Sequence, residues 1–108
     1  MSEVSDVIVV WVTVPNPSSA ESLAKILVER RLAACVNIIP GVKSLYIWED
    51  QMQTDSEEIL LIKTKRTLFQ DLAQAIQQNH PYSVPEIIAS PIVLGSESYL
   101  NFVRTHTN

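Results

Sequence analysis

Apolar and polar positions alternate in two rhythms along the chain, one of strands and one of helices. Val7–Val14 is a β-branched run without helical period, which predicts a buried strand. Pro15, Asn16 and Pro17 end it. Ser18 and Glu21 then have the spacing of a capping box. Ala20, Leu23, Ala24, Leu27 and Val28 follow as one helical face, with Glu21, Lys25 and Glu29 turned to water. Residues 33–48 read as one long extended segment bent at Pro40-Gly41. Glu49, Asp50 and Gln51 make a turn, and residues 53–65 read as the returning strand, most apolar from Ile59 to Ile62. Thr67 and Gln70 signal a second helix carrying Leu68, Leu72, Ala75 and Ile76, stopped at Asn79-His80-Pro81. Residues 86–94 read as a last strand, where Pro91 implies an edge or a bulge. Gly95-Ser96 opens a short final helix bearing Tyr99, Phe102 and Val103.

The order is βαβ-βαβ plus an extra C-terminal helix. Right-handed crossovers and a central hairpin then give an α+β, ferredoxin-like sandwich, with the two main helices on one face of an antiparallel sheet. Two features of the pattern call for a partner. Val7, Val9 and Trp11 alternate with Ile8, Val10 and Val12, so both faces of the first strand seek burial while the two main helices cover one. The central hairpin is also about twice as long as the first strand at ~3.3 Å per residue. Its far end carries Leu45, Tyr46, Ile47 and Trp48, beyond the reach of the chain's own helices. An apolar hairpin with open edges is an aggregation hazard unless a neighbouring chain pairs with it.

Several separate motifs carry a resemblance to a known family. Leu32-Ala33-Ala34-Cys35-Val36-Asn37, Pro40-Gly41-Val42 and Ser44-Leu45-Tyr46-Ile47-Trp48 are similar to the CutA family of divalent-cation tolerance proteins. The segments from Glu58 to Thr64 and from His80 to Ile87 resemble it too, in the same order, so the likeness covers about residues 7–104. It implies a ferredoxin-like subunit, a homotrimer joined by strand pairing, a PII-like architecture and a role in copper and heavy-metal tolerance.

Composition narrows the partners. At 108 residues the chain fits a single domain, 1–108. The net charge of −4 and the lack of a long basic stretch argue against nucleic acid or an anionic membrane. Cys35 is the lone cysteine, so no intrachain disulfide is expected. Glu3 and Asp6 precede an apolar run too short for a secretory signal or a membrane span, and the expected compartment is the cytoplasm.

The soft or borderline metal ligands are Cys35, His80, His106, Met1 and Met52. They include no Cys-x-x-Cys and no helically spaced His pair, so one chain does not obviously assemble the three or four ligands of a tight site. Copper, bound weakly through Cys35 and His80, is the expected ion. Each has a plainer reading: Cys35 as a small hydrophobe in a strand, His80 as a cation at a helix C-terminus. His80, Tyr82 and Glu86 also fall within one loop stiffened by Pro81 and Pro85. Lys63, Tyr82 and Glu86 together would suit a small polar ligand, with both signs of charge. Their plainer readings are a snorkelling lysine, a packing aromatic and a surface ion-pair partner. No Ser-His-Asp order, P-loop or dinucleotide fingerprint is present, and the expectation is a binding protein, not an enzyme: a trimeric metal-tolerance protein, with a PII-like sensor of a small ligand or a trimeric protein-interaction scaffold as the alternatives.

Overall fold

The computed structural model describes residues 6–108; Met1 and Glu3 lie outside the described residues. Four strands, β1 (Val7–Val14), β2 (Cys35–Trp48), β3 (Gln51–Lys65) and β4 (Ile87–Pro91), alternate with α1 (Pro17–Glu29), α2 (Phe69–Asn79) and α3 (Glu97–Thr105). The sheet order is β2-β3-β1-β4 and every neighbouring pair is antiparallel. This is the expected α+β, ferredoxin-like sandwich.

Register divides the sheet into two faces. Val10 lies opposite Ile62 and Ala89, and Ile62 lies opposite Val36. Val10 and Ile62, with Ile8, Val12, Val14 and Leu60, meet Ala20, Leu23 and Leu27 of α1 and Leu72, Ala75 and Ile76 of α2 in one core, with Val36 packed against it and Ala89 exposed at the edge. Val28, expected on the buried face of α1, is exposed instead.

The other face carries Val9, Trp11, Lys63, Leu61, Cys35 and Ile88. The two main helices leave it open, but α3 does not. That helix packs against β1 and β3. Val103 and Val7 are fully buried yet stand apart from the main core, and Tyr99 meets Cys35. The third helix therefore closes one end of the second face. Trp11, Ile39 and Ile88 remain exposed beyond it.

Helix starts differ from the expected caps. Asn16, not Ser18, caps α1: its side chain accepts from the Ser19 N–H at 2.8 Å, and Pro17 takes the first turn, where no N–H is needed. A 3-10 turn at Arg66–Leu68 leads into α2, which has no side-chain cap. The short turn opens the helix in place of the capping box that Thr67 and Gln70 were expected to form.

The β2–β3 hairpin, 14 and 15 residues long against eight for β1, projects well past the rest of the sheet. Pro40-Gly41 does not break β2. It makes a bulge, shifting the register between Ile39 and Val42, with Gly41 at φ 75°. Glu49 and Asp50, both at positive φ, form the two-residue turn whose twist suits a hairpin. Leu45, Ile47 and Met52 near the tip are each more than 60% exposed, and Trp48 is 50% exposed.

Candidate functional site

The bulge decides what faces the candidate site. By register, Glu57, Asp55 and Gln53 of β3 continue the face of Leu61 and Lys63. Because β2 has gained a residue, Val42, Ser44, Tyr46 and Trp48 now share that face with them. Thr13, at the end of β1, belongs to it as well. A cavity of about 780 Å3 opens there, between the hairpin and the loop at residues 81–86. Thr13, Ser44, Tyr46, Trp48 and Glu57 line the sheet side; Tyr82, Val84 and Glu86 line the loop side.

His80 fixes that loop. Its Nε2 lies 2.7 Å from the Thr13 carbonyl oxygen, and its Nδ1 accepts the Tyr82 backbone N–H at 3.1 Å. A carbonyl only accepts and an N–H only donates, so the ring is the neutral tautomer protonated on Nε2. The imidazole and Tyr82 rings pack 4.9 Å apart. The residue that ends α2 thus ties it to β1 and aims the next turn at the hairpin.

Tyr82 completes the link, donating its hydroxyl proton to Glu57 Oε2 at 2.7 Å. Burial, and then the Glu57 carboxylate that accepts this bond, push the Tyr82 phenol far above its ordinary value. Tyr46 likewise donates to Asp55, and that bond raises its phenol. Both rings therefore stay neutral, with their protons committed to carboxylates.

The residues singled out in the sequence separate into two places. Tyr82 and Glu86 line the cavity, and His80 braces its loop. Lys63 does not join them. It lies opposite Cys35 and Val9, and its ammonium donates to Asn37. Cys35 Sγ lies 3.9 Å from the same Asn37 oxygen. Burial, with Cys35 beside it, raises the Tyr99 phenol. Cys35 is thus about 13 Å farther along the strands than the Thr13–His80 contact, since Val9 and Thr13 are four residues apart. Among the described residues no three His, Cys, Asp or Glu side chains converge on one point as ion ligands. His106 stacks on Phe102 at 4.1 Å and does not line the cavity.

Glu57 and Thr13, which line the cavity, and Asp55, which holds Tyr46, are among the site residues that the sequence did not single out. Their signal was faint: Asp55 and Glu57 alternate along the polar half of β3, ahead of its apolar run from Ile59 to Ile62.

Comparisons with known proteins fit this architecture. A family model described as CutA1 divalent ion tolerance protein matches residues 8–106. The chain belongs to that family. It is 50% identical over 100 residues to the chloroplastic CutA protein of Arabidopsis thaliana, covering 93% of this chain and 55% of the relative. A chloroplastic relative from rice is similar in the same way, with 56% covered, so the chain spans about half the length of these plant proteins. The divalent-cation tolerance protein CutA of Thermus thermophilus is 48% identical and is covered over 96% of its length. The solved CutA1 of Oryza sativa superposes with a TM-score of 0.94 at 46% identity, covering 99% of this chain and 98% of that one. The Thermus thermophilus structure gives 0.92 at 46% identity, with 94% and 99% covered.

Proposed function

We propose that this member of the CutA1 family serves divalent-cation tolerance as a homotrimer of PII-like architecture, acting by binding and not by catalysis. The apolar surface left open by the single chain carries the reading. Trp11, Ile39 and Ile88 on the second face, and Leu45, Ile47 and Trp48 on the hairpin, are a larger exposed apolar set than a free subunit tolerates. Copper or a similar ion is held weakly, with Cys35 as the available soft ligand. His80 takes part only if the ion displaces one of its two hydrogen bonds. A site of useful affinity draws further ligands from a second copy. We place the protein in the cytoplasm; no helix among the described residues is long and apolar enough to cross a membrane.

Copper calorimetry on the assembled protein tests the metal part. Saturable heat that falls in Cys35→Ser and little in His80→Ala is expected. Unchanged affinity in both variants contradicts it.

The cavity favours a second reading, a sensor of a small ligand held between the hairpin and the loop at residues 81–86. Its walls are fixed in advance by the His80 and Tyr82 bonds. Screening metal-free protein for thermal stabilisation by small metabolites tests this. A rise in melting temperature that depends on Tyr82 is expected, and no response from any compound contradicts it.

A further inference from the structure

We propose that the cavity between the hairpin and the loop at residues 81–86 holds a small organic cation, an alkyl ammonium or a guanidinium, on the Glu57 carboxylate. This rests on the second reading above, that the cavity is a ligand site, and assigns the chemistry of its ligand.

Glu57 is only 7% exposed. Its recorded partner is the neutral Tyr82 hydroxyl. The ion pairs among the described residues are those of Arg104 with Asp6 and Glu97, and neither includes Glu57. No lysine or arginine lines the cavity. A buried carboxylate is seldom left without a cation, because removing its charge from water costs several kcal/mol. Lys63, the cation that the sequence placed nearby, is committed to Asn37 elsewhere on the face. The missing counter-charge therefore has to come from outside the chain.

The remaining lining says what kind of cation fits. Glu86 adds a second carboxylate on the loop side. Tyr46, Trp48 and Tyr82 give three aromatic rings, whose faces attract a desolvated ammonium or guanidinium. The hydroxyl protons of Tyr46 and Tyr82 already point to Asp55 and Glu57, so their oxygens offer lone pairs to incoming N–H groups. An anion meets two carboxylates and few free donors. A bare metal ion needs three or more converging ligands, and the described residues bring no such group together. A cavity of about 780 Å3 is also larger than an ion requires and suits an extended molecule.

The test is calorimetry on the assembled, chelator-treated protein with agmatine as the cation, glutamate as the anion and zinc alone. Saturable agmatine heat is expected, weakened at least about tenfold by Glu57→Gln with the mass unchanged and the ligand-free melting temperature not lowered. Trp48→Leu, which keeps the carboxylate and removes a ring, is expected to weaken binding several-fold, and it keeps the proposal testable if Glu57→Gln does not fold. Glutamate binding without agmatine binding overturns the cation assignment and leaves the ligand-site reading standing. No binding of either compound overturns both. Zinc binding that depends on Glu57, without agmatine binding, makes the carboxylate a metal ligand and overturns the proposal. Loss of the assembly in Glu57→Gln places the counter-charge on another subunit and overturns it as well.

Discussion

His80 shows how one side chain can set a loop. Its ring spans the Thr13 carbonyl and the Tyr82 N–H, joining the end of α2 to the end of β1. His80→Ala leaves both groups without this partner and is expected to cost about 1–3 kcal/mol in urea unfolding. Tyr82 provides a second check. Its folded phenol titrates above the unfolded one, so its contribution is fully present below pH ~10 and is lost as pH rises through the higher folded value. In an ultraviolet pH titration Tyr82 should be the last tyrosine to ionise, and Tyr82→Phe should remove that late step. Asp6 behaves in the opposite sense. The bond from Arg104 at 2.7 Å holds its carboxyl below the usual range, so its contribution is present above the unfolded value near 3.8 and is lost as pH falls through the folded one. Both groups are partly open to water. Asp6→Asn should therefore cost less than about 1 kcal/mol at pH 7, and progressively less as pH falls through the folded value.

Among the elements, the hairpin matters most, and Gly41 is its pivot. Nothing stands within 4 Å of a Cβ placed there, but its φ of 75° disfavours any side chain. Gly41→Ala should cost about 1–2 kcal/mol in denaturant unfolding through backbone strain alone. The strands and main helices were legible in the sequence because each has a clear period: the β-branched run of β1, or the 3.6-residue spacing of Leu72, Ala75 and Ile76. Pro40-Gly41 was legible as an irregularity, but not as an insertion that leaves the ladder intact. That difference hid the site, since the added residue is what brings Tyr46 and Trp48 onto the face of Glu57. Tyr82 and Glu86 were found because prolines mark their loop. Lys63 was placed with them for its charge, and only strand register shows it beside Cys35. The turn of α3 under the sheet was equally hidden, because a nine-residue helix has no signal for the face it will cover.

For the whole molecule, the division of apolar surface is the governing fact. One face of the sheet is closed by α1 and α2, one end of the other by α3, and the rest of that face and the hairpin remain open. Subunits that close this surface against one another link folding to association. Replacing Ile47 with Asp on the tip should then lower the melting temperature in a concentration-dependent way while leaving the α1–α2 core unchanged. The mass of the protein in solution tests the homotrimer most directly. Light scattering at micromolar concentration should give three times the 12.1 kDa mass of the chain. A stable, folded species of a single chain mass would contradict it.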